Sequence, residues 1–287
     1  MGKDILNIGG YTILQRLGTG ARSTIYSATD ETDGSIVALK RVIVERQEDV
    51  RVVEQTETEY KIARQIDHPY IRKCFKIKKI RSMSLKVREL LMSMELFEGR
   101  TLEDSPTLSL GDVLLVFRMV ATGLNAMHQH GFVHCDMKPN NIMINKSGTV
   151  KIIDLGQSCK IGTTKSRIQG TPDYIAPEQV RRKPMGPKTD IFNLGATMYW
   201  ALTGKNVPTL IPKNKNGMGL MEPPRECIAP LQLKPKLPPE ISDLVMECVK
   251  EDQAERPANM IAIVTRLDAM IHTIFGNKIK TNKRNGD

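Results

Sequence analysis

The chain has 287 residues, 40% hydrophobic and 26% charged, with a formal net charge of +10. That length can bury a core in one large domain or two smaller ones, and the composition is ordinary for a soluble globular protein. No run of about 18 uncharged apolar residues occurs, so no membrane span is expected, and the basic excess comes without an aromatic-interleaved basic strand or a helix-turn-helix signature, so no specific nucleic-acid partner is expected.

In chain order, Met1-Gly2-Lys3-Asp4-Ile5-Leu6 lacks the apolar core of a signal peptide, and Leu6 stands where a myristoylation motif has Ser or Thr. Residues 11–17, 24–29 and 35–44 read as strands, the last two joined by an Asp33-Gly34 turn. Glu45 to Ile66 reads as a helix with Val52, Val53, Ile62, Ala63 and Ile66 on its apolar side, ending before His68-Pro69. Strands follow near 71–81 and 85–96, and the basic residues from Arg72 to Arg88 look like strand faces turned to water. After Glu98-Gly99 the pattern becomes helical. Gly111 to Gln129 has apolar residues at a period near 3.6 and stops at Gly131. Residues 142–145 and 149–153 form a hairpin around Lys146-Ser147-Gly148. Residues 155–188 show no sustained period, Asp190 to Leu202 is a buried helix, and 204–239 is a long irregular connection. Two helices close the chain, over 241–249 and 258–274. The basic, polar residues 277–287 are expected to be disordered.

The chemistry concentrates in His134-Cys135-Asp136-Met137-Lys138-Pro139-Asn140-Asn141. Turn residues account for Pro139, Asn140 and Asn141, but a structural loop does not need an acid, an amine and an amide at offsets of two and five. The hairpin that follows has arms of equal length, which sets Asn141 beside Asp154. An amide oxygen and a carboxylate suit a hard cation such as magnesium, which completes its shell with water and phosphate. Asp136, on the same rim, can orient a hydroxyl, and Lys138 can offset charge on a transferring phosphoryl group. Upstream, Gly18-Thr19-Gly20-Ala21-Arg22-Ser23 lies between two strands, where missing Cβ atoms let backbone N–H groups approach phosphates. Lys40 ends the strand Val37-Ala38-Leu39-Lys40 and needs a carboxylate. The next helix offers Glu54, Glu57 and Glu59.

From about residue 11 to residue 272 these motifs, in this order, resemble the eukaryotic-type (Hanks-type) serine/threonine protein kinases. The resemblance implies an α+β, two-lobed fold. A small β-sheet lobe with one main helix (11–96) precedes a larger, mainly helical lobe (97–275), and a basic tail (276–287) follows. It implies that Gly18 and Gly20, with Leu17, Thr19, Ala21, Ser23 and Ile25, cover ATP, and that Lys40 holds its phosphates with Glu59 as its partner. Asp136 would be the catalytic base or orienting carboxylate, with Lys138 and Thr171 beside it. Asn141 and Asp154 would hold magnesium or manganese. Met94 matches the gatekeeper and Glu95 to Phe97 the hinge to adenine, while Ala38, Ile25 and Met143 wall the ring. Gly170 to Glu178 resembles the end of an activation segment. Glu178 would pair with Arg256, and Asp190 would anchor the catalytic loop backbone.

Three positions depart from the family pattern. Ser23 replaces the third glycine and Leu155 the usual Phe, a packing position that tolerates an aliphatic residue. Cys135 stands where many such kinases carry an Arg that pairs with a phosphate on the activation segment. Weaker dependence on phosphorylation there is therefore expected, with Ser158, Thr163, Thr164, Ser166 and Thr171 as phosphosites. Five cysteines, Cys74, Cys135, Cys159, Cys227 and Cys248, include no Cys-x-x-Cys pair. They suggest neither a disulfide framework nor a zinc site and point to a reducing, cytoplasmic setting; of two readings of Cys135, a redox sensor beside Asp136 or a packed, inert thiol, the second is expected, since nothing in the sequence activates its thiolate. The expected activity is transfer of the γ-phosphoryl of ATP to Ser or Thr hydroxyls of protein substrates, the chain itself included. The alternatives are a kinase-like scaffold that binds nucleotide or partner proteins, and a small-molecule kinase. The latter generally lacks the Ala176-Pro177-Glu178 segment. Substrate, regulator and oligomeric state are not legible.

Overall fold

The computed structural model describes residues 6–20, 22–46, 49–83, 86–105, 107–208, 210 and 226–284, with side chains of the last helix described to residue 274. The chain divides into two compact units, Met1–Glu98 with Asp154–Gly156, and Gly99–Ile153 with Gln157–Asp287.

In the first unit, strands β1 (Tyr11–Thr19), β2 (Ser23–Asp30), β3 (Ile36–Ile43), β4 (Cys74–Arg81) and β5 (Val87–Met94) form an antiparallel sheet ordered β1-β2-β3-β5-β4. Inner strands β3 and β5 carry the continuous apolar runs, with Val37, Leu39, Leu90, Leu91, Met92 and Met94 buried. Edge strand β4 turns Lys76, Lys78 and Lys79 outward, as the sequence pattern predicts, and such lysines discourage edge-to-edge pairing. Arg72 is a correction to that pattern: its side chain is 9% exposed and pairs with Glu59. Helix α1 (Val50–Ala63) begins later than the expected 45. Asp49 Oδ2 accepts the N–H groups of Glu45 (2.9 Å) and Arg46 (2.8 Å), and this local loop competes with helix over those residues.

In the second unit, α2 (Leu110–Gln129) packs against α4 (Pro187–Thr203) and α7 (Met260–Arg284), and α4 packs against α6 (Pro239–Cys248). The Ser109 hydroxyl caps α2 at the N–H of Asp112, and Gly131, at φ +80°, lets the chain turn away after its end. By length and composition α2 could cross a membrane. Its apolar face is the core of this unit, with Leu114, Phe117, Val120, Ala121, Leu124 and Met127 fully buried. Helix α4 starts at Pro187, ahead of the expected Asp190, because proline suits the first helical turn. Helix α7 runs to Arg284, so residues 277–284 are helical and not the disordered tail expected. Lysine and arginine are good helix formers, and extending an existing helix is cheap beside nucleating one. Residues 285–287 lie outside the described residues.

A three-stranded sheet, β6 (Gly99–Thr101), β8 (Ile142–Asn145) and β9 (Val150–Ile152), has the order β6-β8-β9, and β7 (Phe132–Val133) pairs with β10 (Cys159–Lys160). The unit also contains the four-residue helices α3 (Pro177–Val180) and α5 (Pro230–Leu233). The latter lies inside the stretch read as irregular, of which 209 and 211–225 fall outside the described residues.

Candidate active site

The loop between β7 and β8 owes its shape to a carboxylate on α4. Asp190 Oδ2 accepts the His134 N–H at 2.9 Å and Oδ1 accepts the Cys135 N–H at 2.8 Å, while His128 Nε2 lies 2.8 Å from Oδ2. Burial alone would push the Asp190 carboxyl up, but the hydrogen bond with His128 and the Cys135 N–H help hold it below its ordinary value. Cys135 sits at φ +65°, a conformation that a side-chain-bearing residue keeps only when its surroundings impose it. Beyond it the chain places Asp136, whose N–H donates to His134 Nδ1 at 3.2 Å. His134 is fully buried and spends its other ring nitrogen on the Ile153 carbonyl, which makes its role structural.

Asp136, Lys138 and Thr171 form a closed triangle. Lys138 Nζ donates to Asp136 Oδ2 (2.9 Å) and to Thr171 Oγ1 (2.8 Å), and Thr171 Oγ1 donates to Asp136 Oδ1 (2.8 Å). Asn141 joins them: its Nδ2 donates to the Asp136 carbonyl at 2.8 Å. With its nitrogen used in this way, the amide has its oxygen to offer a hard cation, as an asparagine metal ligand must. Within the β8–β9 hairpin, Ile142 faces Ile152 and the Ile153 N–H donates to the Asn141 carbonyl, so Asp154 lies one residue beyond the position opposite Asn141.

The first unit holds the other charged cluster. Lys40, on β3, donates to Glu59 Oε2 at 2.7 Å, with the two side chains 15% and 3% exposed. Burial disfavours the ammonium, but Glu59 and Asp154 outweigh it and raise the Lys40 pKa, so the amine stays charged. Glu59 sits on the buried stripe of α1 with Val53, Thr56, Ile62 and Ala63, where spacing alone would place an apolar residue. Of the other candidate partners, Glu57 pairs with Lys79. Asp154–Gly156 belongs to this unit, and a Cβ at Gly156 would meet Gln55 at 3.2 Å. Asp154 itself is left-handed, at φ +61°.

Around these residues, Gly18, Thr19, Gly20, Ser23 and Ile25 form the β1–β2 turn and its flanks, with Thr19 paired to Thr24. The Gly20 N–H donates to the Ser23 carbonyl at 2.7 Å, so that donor closes the turn. Leu17 is 48% exposed, and Ala21 lies outside the described residues. Ala38 and Met94 are register partners on β3 and β5, both buried. The Glu95 N–H and carboxylate engage the Lys73 backbone, and Phe97 is half-buried. Met143 lies on β8 in the second unit.

Glu178 and Arg256 meet as expected, in a bidentate pair at 2.8 and 3.0 Å with both side chains at most 2% exposed. Ser158 is not an accessible phosphosite here: it is buried, with its hydroxyl on the His134 carbonyl at 3.3 Å. Sequence reasoning missed Gln179, whose Nε2 donates to the carbonyls of Cys135 (2.7 Å) and Gln169 (3.1 Å) while its Oε1 accepts from Ala176 N and Asn193 Nδ2. A glutamine three residues after a helix-capping position was the available signal. Arg72 and Cys159 were also missed, and neither lies in a motif. Among the described residues, no group of three or more His, Cys, Asp or Glu could hold a metal ion.

Residues 11–267 match the protein kinase domain family. The chain belongs to that family. Protein kinases are transferases that use ATP, generally with magnesium. Among curated relatives of this kinase domain, a probable serine/threonine-protein kinase of Corynebacterium efficiens is 27% identical over 285 residues, which are 96% of this chain and 42% of the relative. A serine/threonine-protein kinase of Dictyostelium discoideum is 29% identical over 257 residues, 86% of this chain and 33% of the relative. The smooth-muscle myosin light chain kinase of Gallus gallus is 29% identical over 201 residues, 68% of this chain and 10% of the relative. The kinase domain thus spans less than half the length of each.

Proposed function

We propose that this chain is a serine/threonine protein kinase that transfers the γ-phosphoryl of ATP to Ser or Thr hydroxyls of protein substrates, itself among them. The observation that supports it best is the Asp136–Lys138–Thr171 triangle. A carboxylate, an ammonium and a hydroxyl within 2.9 Å of one another are arranged to handle a hydroxyl proton and developing phosphoryl charge. Asp136 orients the acceptor hydroxyl and takes up its proton, while Lys138 offsets charge on the phosphoryl oxygens. Lys40, fixed and kept charged by Glu59, binds the α- and β-phosphates. Asn141 and Asp154 are the proposed magnesium ligands, and the metal when bound neutralises phosphate charge. The proposed setting is cytoplasmic. With Cys135 in place of an arginine, dependence on activation-segment phosphorylation is proposed to be weak.

The test is incubation with labelled ATP and magnesium, alone and with a generic basic protein, followed by phosphosite mapping. We expect label on Ser and Thr in the wild type and turnover reduced by about 100-fold or more in Asp136→Asn. Normal turnover in that variant would overturn the assignment of Asp136. No incorporation by the wild type would favour a nucleotide-binding scaffold.

A further inference from the structure

Two cysteines that no motif joins lie side by side. Cys135 precedes the proposed catalytic Asp136, and Cys159 begins the segment that follows Asp154. Their sulfur atoms are 3.7 Å apart. Both backbones are fixed. Asp190 and Gln179 hold Cys135 through its N–H and its carbonyl, and Cys159 is laddered to Val133 in the β7–β10 pair. The next residues are strapped down as well, Ile161 N to the Gly131 carbonyl at 2.9 Å and Gly162 N to the Met185 carbonyl at 2.8 Å. The thiols share an apolar cluster with Val133 and Met185. The sulfurs are already in van der Waals contact, and a disulfide would bring them to about 2.05 Å.

We propose that Cys135 and Cys159 form a reversible disulfide that ties the segment after Asp154 to the loop carrying Asp136. This rests on the kinase reading for its meaning. Where the family's arginine would make an electrostatic tie to a phosphate, this chain has a redox tie. The two sulfurs have different parts to play. Cys159 is only half-buried, and the hydrogen bond with Cys135, helped by Lys165, pulls its thiol down against the effect of burial. Cys135 is buried, and the same hydrogen bond, then burial and Asp190, push its thiol well up. Cys159 is therefore the sulfur that meets hydrogen peroxide. Its thiolate attacks one peroxide oxygen, the O–O bond breaks, and hydroxide leaves and is protonated to water, giving a sulfenic acid. The Cys135 sulfur then attacks the Cys159 sulfur. The S–S bond forms, the S–O bond breaks, and the departing hydroxide carries off the Cys135 proton as a second water. Two thiols are oxidised by two electrons and the peroxide is reduced to two waters. A small thiol reverses the change by exchange.

The test treats the full chain with graded hydrogen peroxide, blocks free thiols with N-ethylmaleimide, and maps tryptic peptides with and without dithiothreitol. The expected product is Met119–Lys146 joined to Ile152–Lys160, two hydrogen atoms lighter than the sum, and lost on reduction. Cys159→Ser should abolish it and leave Cys135 free for alkylation. Hydrogen exchange at Ile161 and Gly162 should slow by about tenfold or more in the oxidised wild type and stay unchanged in peroxide-treated Cys159→Ser. Recovery of the two peptides separately, as thiols or as sulfinic or sulfonic acids, would overturn the proposal, as would a link from either to Cys74, Cys227 or Cys248. The map reads no turnover, so loss of the kinase reading and loss of the disulfide are scored apart.

Discussion

Among the described residues of the second unit, Arg256 is the most heavily committed side chain. Besides Glu178, its guanidinium donates to the carbonyls of Lys250 (2.7 Å), Lys188 (2.8 Å) and Glu251 (3.1 Å), and it stacks 5.0 Å over Phe192. Arg256→Met strands a buried carboxylate and three carbonyls, whereas Glu178→Gln leaves the guanidinium most of its acceptors. We expect both to destabilise, Arg256→Met by about 4–5 kcal/mol and Glu178→Gln by about 3 kcal/mol, read from urea unfolding. At Asp30, hydrogen bonds from Lys76 Nζ (2.7 Å) and Thr32 hold the carboxyl down at about 2, against an ordinary 3.8. A depressed carboxyl stabilises above its unfolded pKa and loses that contribution as pH falls through the folded one. Unfolding midpoints of the wild type should therefore fall between pH 4 and pH 2 more steeply than those of Asp30→Asn. Equal slopes would show that Asp30 carries no such linkage. The Arg256–Glu178 pair was legible because both residues sit in motifs. The Arg72–Glu59 contact at 3.6 Å was not, because nothing in the run Arg72-Lys73-Cys74 marks which basic side chain turns inward.

Helices α4 and α6 approach so closely that the glycine in α4 has a packing reason. A Cβ on Gly195 would lie 2.4 Å from the Cβ of Cys248. Gly195→Ala gains about 1 kcal/mol in helix propensity, but the clash is with a Cβ fixed to its backbone and costs about 1–3 kcal/mol or more. We expect a net loss, seen as a lower thermal midpoint, and a rise would mean that the helices part freely. Ser109→Ala, which removes the α2 cap, should cost about 1 kcal/mol by the same measurement. Elements with strong periodicity, α2 and the β2–β3 pair among them, were readable to within a few residues. The start of α1 was not, since Asp49 is indistinguishable in sequence from any helical aspartate until its carboxylate is seen on Glu45 and Arg46. The end of α7 was not either, because a lysine-rich segment has the composition of a disordered tail whether or not a preceding helix extends through it.

For the whole molecule, the proposed function makes ligand binding a stability measurement. Magnesium and a non-hydrolysable ATP analogue at about 100 times the dissociation constant should add about 2.7 kcal/mol to the unit that binds them. The added thermal stability should fall in Lys40→Met and lose its magnesium dependence in Asp154→Asn. An unchanged magnesium response in Asp154→Asn would remove that residue from the metal site. The grip of Asp190 on the proposed catalytic loop has a bearing on the order in which the chain folds. His134 and Cys135 lie 56 and 55 residues before the carboxylate that holds their N–H groups, so the loop has no local way to keep its left-handed turn. Until α4 has been made and has docked, a nascent chain carries every residue of His134 to Asn141 without their geometry. On the proposed function, an unfinished chain would in this way lack a working site.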